Sequence, residues 1–462
     1  MSRENQSDLT HDLVLPTLLF AALGAMAWAV RGCSGFGAMN GCIFAGVTWG
    51  TAWWFIARDP GARQSRPYAS GWIILALTVG IGFSGNRGWM QWPSFFDGHL
   101  QTNTALGQSV PIPRAYGFLW LFIAGVPWAG LGACLLAWCG SHRTVRPGEW
   151  CIRLACGIGV AWLARVLFDN LPEVFLPLYK AMTPQYHDLR ANPNLGRLLN
   201  DNRAAITHLG LYLGFLVYEM GRRDWRNVTL ILTVGLVNGA GWALCQNWRW
   251  APRAWPQAGF NWWRCWESCG GISIGIAYGL AYWLANRRLS ASDRPLDAMG
   301  PAGWHPNLER FGAYLGLLLG LGLSVRNGLK GWANIYLGNE NYWDAVLWRV
   351  IGPLLLLALV ALPIWIRLRP VPGTYQSEPP PSSGTGPAGP GVSHGDVFPQ
   401  AYRLAWLVLL VQNAIAQLIT GPRSSWNETA FALYYVLLFL LSAVILHHFQ
   451  CMKVIRAAPP VY

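Results

Sequence analysis

Arginines at one end of the apolar segments are the residues in this sequence best suited to binding chemistry. A guanidinium group binds carboxylate or phosphate through paired hydrogen bonds, so several arginines together predict an anion-attracting vestibule. Alternatively, each arginine caps its own helix, because a cation near a helix C-terminus stabilises it by about 0.3–1 kcal/mol. We expect Arg165, which lies inside its apolar segment, to pair with Asp169. Six arginines share a position near the end of an odd-numbered apolar segment: Arg31, Arg87, Arg165, Arg249, Arg326 and Arg423.

Tryptophans accompany these arginines. The loop from Gln246 to Gly270 interleaves three arginines with six tryptophans: Trp248, Trp250, Trp255, Trp262, Trp263 and Trp266. Such a loop can anchor the chain at a membrane interface or stack its arginines on indole rings. It can also recognise a solute, because flat indoles stack on sugar rings. We expect Trp28 or Trp242 in the wall of the vestibule.

Polar residues inside the apolar segments are the second set of candidates. Asn413 and Gln417 lie four residues apart and so share a helix face, and Asn238 lies within the seventh apolar segment. Such groups either hydrogen-bond to neighbouring helices or contact a transported solute. The predicted solute-binding residues are therefore Arg31, Arg87, Arg165, Arg249, Arg326, Trp28, Trp242, Asn238, Asn413 and Gln417.

The sequence predicts neither a metal site nor a cofactor. The ten cysteines include no CxxC pair, and Cys265 and Cys269 have a helical spacing that suits packing better than a disulfide. Catalysis by an enzyme would have to use acids of the outer loops, such as Asp97, Glu267 or Asp344. The ATP-binding pattern GxxxxGK[ST] does not occur, so direct coupling to ATP is unsupported.

The elements that position these residues follow from the composition. The chain has 462 residues, of which 53% are hydrophobic and 12% are charged, whereas a soluble domain has about 25% charged residues. The net charge of +13 comes without a nucleic-acid motif, so we predict no nucleic-acid partner. With 52 glycines and 28 tryptophans, the composition is typical of packed transmembrane helices with interfacial aromatic residues. The sequence therefore predicts an all-α polytopic membrane protein in contact with the lipid bilayer.

Runs of about 20 apolar residues predict twelve transmembrane helices. They lie near 13–31, 37–57, 70–86, 116–138, 150–168, 205–221, 227–246, 269–286, 311–326, 345–366, 402–421 and 428–449. Arginines are frequent at the even-numbered connections, which places both termini on the cytoplasmic side of the inner membrane. We read the first helix as retained rather than cleaved. The segment 370–399 is rich in Pro, Gly and Ser and predicts a disordered cytoplasmic linker, while 169–204 predicts an ordered outer cap.

An internal repeat divides the chain into two halves, 1–226 and 227–462. Residues 41–58 align with 270–287, with identities that include Gly46 with Gly275 and Trp54 with Trp283. Residues 80–88 align with 320–328, and Trp28-Ala29 aligns with Trp242-Ala243. Six helices per half return the chain to its starting side, so we expect a parallel repeat about an axis along the membrane normal.

Small residues recur every four positions, at Cys42, Gly46 and Gly50, at Gly271, Gly275 and Gly279, and at Gly312, Gly316 and Gly320. This spacing places each set on one helix face, where two backbones can approach closely. Such faces are either sliding surfaces between the two halves or static packing surfaces.

This architecture resembles the major facilitator transporters, which have two halves of six helices with both termini inside. Their charged connection after the second helix has a loose counterpart in RDPGAR at 58–63, and the long linker here falls inside the second half. The resemblance implies alternating access between the halves. We expect a permease for a small anionic or polar solute, for which a sugar acid and a sugar phosphate are the candidates. The alternatives are a membrane-embedded transferase acting on a lipid-linked anionic substrate and a scaffold without transport activity. The sequence leaves the oligomeric state open.

Overall fold

The structure is a computed structural model that describes residues 9–33, 36–58, 66–85, 92–140, 143, 145–287, 306–368 and 397–457. Residues 370–396 of the predicted linker, and Arg87, lie outside these ranges. Twelve long helices form most of the described chain: α1 (Leu15–Arg31), α2 (Ala38–Ala57), α3 (Trp72–Ser84), α4 (Ala115–Trp138), α5 (Pro147–Asn170), α6 (Pro193–Gly221), α7 (Trp225–Cys245), α8 (Trp262–Ala285), α9 (Pro306–Tyr336), α10 (Glu340–Leu368), α11 (Val397–Leu418) and α12 (Trp426–Ala457).

Short elements complete the connections. A π-helical turn, Thr10–Val14, precedes α1. The α3–α4 connection holds a short helix, Trp92–Phe96, and two antiparallel strands, β1 (His99–Asn103) and β2 (Gln108–Pro111), joined through the 3₁₀ turn Thr104–Leu106. The predicted outer cap contains the helices Pro172–Phe175 and Thr183–His187, and the α7–α8 connection contains Gln246–Trp250, Ala251–Ala254 and Pro256–Ala258.

Each of the twelve predicted segments coincides with one of the long helices, but several helices begin earlier or end later. Helix α8 begins at Trp262, where the sequence predicted 269, because the Asn261 side chain accepts a hydrogen bond from the Arg264 backbone N–H and caps the helix. Helix α6 begins at Pro193, within the predicted cap, since a proline suits the first turn of a helix. Hydropathy finds the apolar part of a helix and misses such polar first turns.

Nine helices of the described chain are long and apolar enough to cross a membrane, which supports a membrane-embedded protein. The three others are α2, α3 and α6. Helix α2 has 20 residues, among them Trp49, Trp53 and Trp54, and is not among the nine. Helix α3 has 13 residues, a length of about 20 Å at 1.5 Å per residue, which falls short of the roughly 30 Å hydrocarbon core. The arrangement of twelve spans in two repeats therefore stays a prediction.

Six of the helices pack side by side in a closed ring in the order α1, α2, α3, α4, α7 and α8. Aromatic side chains fill its interior, among them the fully buried Trp28, Trp49, Trp53, Trp128 and Trp242. The hairpin of α5 and α6 packs on α4, that of α9 and α10 on α3, and that of α11 and α12 on α1 and α2. Helices from the two predicted halves are thus in direct contact at α1–α8, α4–α7 and α3–α9.

The glycine ladders are close-packing surfaces in this ring. A Cβ atom placed on Gly271 would lie 2.0 Å from the carbonyl oxygen of Gly24, and one on Gly275 would lie 2.5 Å from the Ala21 Cα. These glycines bring α8 against α1. The second ladder, with Gly46, brings α2 against α3, and the third, with Gly316, brings α9 against α3. Small residues are required wherever the ladders let two backbones touch.

The start of α1 and the end of α12 lie at the same end of the bundle, here called the Asp12 end. Arg66, in the α2–α3 connection, pairs with Asp12 at 2.6 Å. The Lys453 ammonium donates to the carbonyl oxygen of Phe55, near the C-terminus of α2. The opposite end, where α1 finishes and α8 begins, is called the Arg31 end.

Candidate functional site

A buried ion pair lies at the Arg31 end of the ring. The Arg31 guanidinium, on the last turn of α1, donates from Nη1 to both carboxylate oxygens of Glu267 at 3.2 and 2.9 Å. Its Nη2 donates to the carbonyl oxygen of Gly85, at the end of α3, at 3.2 Å. The two side chains are only 2% and 1% exposed. The pair joins α1, α3 and α8 and carries no net charge.

The glycine ladder of α8 positions Glu267. This residue lies four positions before Gly271, so its side chain continues the face that packs against α1. A Cβ atom on Gly32 would lie 3.1 Å from the Glu267 Cγ, so the carboxylate reaches the end of α1 directly. Close backbone approach therefore places the acid beside Arg31.

The structure brings Arg31, Trp28 and Trp242 together, three of the residues that the sequence predicted. The Arg31 guanidinium lies 5.4 Å from the centre of the Trp28 ring. Trp28 packs against Gly271, while the Trp242 indole occupies the space beside Gly270, where a side chain would otherwise stand.

Further aromatic rings surround Trp242. Its ring stacks on Trp266 with centroids 5.3 Å apart, and Trp128 lies 5.0 Å away on the other side. Flat aromatic walls around a polar pair are typical of sites for sugars and other small polar molecules.

Several buried polar atoms near this pair have no hydrogen-bond partner among the described residues. They are the Nε1 atoms of Trp28 and Trp242 and both amide atoms of Gln246, a side chain with no exposed surface. An unsatisfied buried polar group costs about 1–3 kcal/mol, so such groups require an explanation.

Asn238 shares a face of α7 with Trp242 and Gln246, since the three are four residues apart. Its Nδ2 donates to the Gly125 carbonyl oxygen of α4 at 2.6 Å, and its Oδ1 accepts from Ser273 of α8 at 3.5 Å. Asn238 therefore joins three helices of the ring. Its hydrogen bonds fix α7, with Trp242 and Gln246, against α4 and α8.

Three other predicted arginines, Arg165, Arg249 and Arg326, contact carboxylates of their own, whereas Arg423 donates to the Gln417 amide oxygen. Arg165 lies 3.8 Å from Asp169, the partner expected from the sequence, and its side chain is 61% exposed. Arg249 pairs with Asp97, which Arg253 also contacts at 2.9 Å. These contacts give Arg165 and Arg249 separate carboxylate partners, and a vestibule in which several arginines attract one anion stays a prediction.

Arg326 is held on α9. It lies 2.7 Å from Asp344 of α10, and its guanidinium lies 4.4 Å from the centre of the Trp348 ring. The Arg326 side chain is 3% exposed, and Lys330 contacts the same aspartate at 3.4 Å. This cluster connects α9 to α10, outside the ring.

The predicted polar residues of α11 contact neighbouring helices. Gln417 donates to the Ala432 carbonyl oxygen of α12 at 3.0 Å and accepts from Arg423 at 2.6 Å. Gln412 donates to the Leu23 carbonyl oxygen of α1 at 2.9 Å. The Asn413 Oδ1 is buried and has no partner among the described residues. Hydrogen bonds to neighbouring helices account for Gln412 and Gln417. Asn413 stands between these two residues in the sequence.

A second feature is an open groove of about 470 Å³ at the side of the bundle. Tyr116 and Trp120 of α4 and Ile206 of α6 form its floor, and the connection before α6 contributes Glu173 and Lys180. Both of these charged residues are exposed. The groove thus combines apolar side chains on its floor with one acidic and one basic side chain at its rim.

The described chain gives little support to a bound metal ion or to a nucleophilic Cys33 thiol. No group of three or more His, Cys, Asp or Glu side chains that could hold a metal ion occurs within the ranges given above. Burial raises the pKa of the Cys33 thiol, two residues beyond Arg31, to about 11. This thiol is therefore protonated near neutral pH and is a poor nucleophile.

Glu267 and Gln246 were missed as solute-binding candidates because the sequence placed both in a loop. The signal was present in the spacing, since Glu267 stands four residues before Gly271 and Gln246 four residues after Trp242. Extending each helical face by one turn would have added both residues to the site.

Comparison with family models, curated proteins and solved structures finds no match to this chain. The resemblance to the major facilitator transporters therefore rests on architecture alone.

Proposed function

We propose that this protein is a permease for a small polar solute, which binds at the Arg31 end of the ring between Trp28, Trp242 and Glu267. The observation that carries the proposal is the group of buried, unpartnered donors and acceptors on Trp28, Trp242 and Gln246. Trp28 lies on α1, Trp242 on α7 and Gln246 directly after α7, and α1 and α7 are the two helices that the predicted internal repeat would relate to each other. A site shared by equivalent helices of two repeats is the arrangement used by secondary transporters.

The charge balance of the site favours an uncharged solute. Glu267 already neutralises Arg31, so an anion would have to displace this carboxylate from a buried guanidinium. A polyhydroxylated molecule such as a sugar needs no such exchange: it stacks on the indole rings and bonds to the free indole N–H groups and the Gln246 amide. A sugar acid or sugar phosphate, expected from the sequence, is the alternative in which Arg31 exchanges Glu267 for the anion.

Alternating access would require movement at the glycine-lined surfaces. The α1–α8 and α3–α9 surfaces join the two predicted halves, and their glycines leave few interlocking side chains. Contacts close both ends of the ring in this conformation, with Arg31 and Glu267 at one end. At the Asp12 end, Arg66 contacts Asp12, and the Tyr68 hydroxyl donates to Asn227 at 2.5 Å. We therefore interpret this conformation as one that is closed at both ends of the ring, in a protein of the inner membrane with both termini cytoplasmic.

The lateral groove supports a second candidate function. A transferase acting on a lipid-linked anionic substrate needs a groove that lipid can enter with an acid beside it, and Glu173 is among the residues that line the groove described above. In this mechanism Glu173 would be the general base and Lys180 would contact the anionic group. Glu173→Gln would then abolish transfer from a polyprenyl-phosphate-linked sugar without affecting solute uptake.

Uptake into proteoliposomes tests the permease. Three radiolabelled solutes distinguish the classes: glucose is neutral, gluconate is a sugar acid and glucose 6-phosphate is a phosphorylated sugar. We expect saturable uptake of one class, and Trp242→Phe, which keeps an aromatic ring but removes the N–H donor, should weaken it about five- to tenfold.

The matched control is Trp162→Phe, because Trp162 lies on α5 with 66% of its surface exposed. This control should transport like the unmodified protein. Uptake of all three solutes no faster than in protein-free liposomes would contradict the permease. An equal loss of uptake in Trp242→Phe and Trp162→Phe would contradict the proposed solute-binding site.

A further inference from the structure

We propose that Cys245 and Cys269 are a redox-active pair that forms a disulfide between α7 and α8 at the Arg31 end. In the sequence the close pair is Cys265 and Cys269, whose helical spacing suits packing better than a disulfide. The structure instead places Cys269 of α8 beside Cys245, the last residue of α7, on the neighbouring helix of the ring. The proposal concerns a covalent modification and does not depend on the transport function.

The helix register explains why these two cysteines meet. Helices α7 and α8 are antiparallel neighbours in the ring. A Cβ atom on Gly241 would lie 1.9 Å from the Ser273 Oγ, so the two backbones approach closely at this level. One turn towards the Arg31 end, α7 presents Cys245 and α8 presents Cys269. The same register places two thiols opposite each other across a tight helix pair.

The surroundings also suit a reactive pair. The Trp248 Nε1 donates a hydrogen bond to the Cys269 Sγ at 2.8 Å, which stabilises negative charge on that sulfur. Both cysteines are partly exposed, whereas Cys42 and Cys134 are fully buried. A thiol needs access and stabilisation of its thiolate to react, and Cys269 has both.

The chemistry requires an oxidant, for which a small-molecule or protein disulfide is the appropriate class. The Cys269 thiolate attacks one sulfur of that disulfide and releases the first thiol. The Cys245 thiolate then attacks the mixed disulfide at Cys269, forms the Cys245–Cys269 bond and releases the second thiol. The pair loses two protons and two electrons, and the oxidant is reduced to two thiols. On the predicted topology this end faces the oxidising side of the membrane, where disulfides persist.

Oxidised glutathione is the probe that tests the pair in the full-length protein in detergent. After exposure, free thiols are blocked with N-ethylmaleimide and the protein is mapped by mass spectrometry without reduction. We expect a cross-linked peptide that joins Cys245 to Cys269 and the loss of two of the ten free thiols. Cys265→Ser is the matched control and should retain the cross-link, whereas Cys245→Ser should abolish it and leave glutathione on Cys269.

Three results would overturn the proposal. One is a bond between Cys265 and Cys269, and another is a covalent dimer whose cross-linked peptide contains Cys245 or Cys269 rather than the exposed Cys151 or Cys451. The third is complete maleimide labelling of both cysteines after oxidation. The unmodified protein decides between these outcomes, so the test does not depend on the folding of a variant.

Discussion

Removing the Glu267 carboxylate should greatly reduce the stability of the protein. Glu267→Gln keeps the shape of the side chain but leaves the Arg31 cation buried beside a neutral amide. The Arg31 Nη1 contacts both carboxylate oxygens, at 3.2 and 2.9 Å, and the two side chains are 2% and 1% exposed. Because loss of one partner of a buried ion pair costs about 3–5 kcal/mol, we expect the free energy of unfolding to fall by about that amount.

A matched control distinguishes the effect of breaking a buried ion pair from the effect of breaking an exposed one. Asp169→Asn removes the carboxylate beside Arg165, in a pair whose side chains are 61% and 40% exposed, and should cost less than about 1 kcal/mol. Replacing Arg31 and Glu267 together by methionine should restore most of the stability, since a well-packed apolar pair substitutes for a buried ion pair. Unfolding in mixed micelles with increasing SDS, followed by tryptophan fluorescence, measures all of these variants. Equal losses for Glu267→Gln and Asp169→Asn would refute the reasoning.

Three further predictions follow from the packing and the topology. Gly275→Ala should destabilise the protein by about 1–3 kcal/mol, because its Cβ would lie 2.4 Å from the carbonyl oxygen of Phe20. Gly159→Ala, with nothing within 4 Å, should be neutral or stabilising by up to about 1 kcal/mol in the same SDS assay; equal losses would contradict the packing account. Arg249→Gln should leave solute uptake unchanged in proteoliposomes, since Arg249 contacts Asp97; lost uptake would place Arg249 at the site. Ser382→Cys, made in a background without other reactive cysteines, should react with a membrane-impermeant maleimide in inverted vesicles but not in intact cells; labelling of intact cells would reverse the predicted topology.

The sequence was sufficient to locate the helices but insufficient to place their ends. Apolar runs identified all twelve long helices because lipid-facing and core-facing residues are both apolar. The start of α8 was missed, since Trp262 to Glu267 mixes tryptophans with Arg264 and Glu267 and reads as an interfacial loop. Its cap on Asn261 becomes evident only from the hydrogen bond that the side chain makes.

Only some residues of the candidate site could be predicted from the sequence, for a similar reason. Arg31, Trp28 and Trp242 stood out by residue type and by their position in the repeat, and the structure brings them together. The partner of Arg31 could not be predicted, because Glu267 is 236 residues away and meets it only through the packing of α1 on α8. The sequence left helix capping and an anion vestibule open for the arginines and identified the local Arg165–Asp169 pair, whereas the partners of Arg31 and Arg249 come from distant parts of the chain.

The measurement that tests the central claim most directly is a structure of the protein in lipid nanodiscs with the transported solute bound. We expect density for the solute between Trp28 and Trp242, with its polar groups in contact with the Gln246 amide. Density in the lateral groove beside Glu173 and Lys180 instead, with the ring interior still filled by indole rings, would contradict the proposed site and favour a lipid-linked substrate.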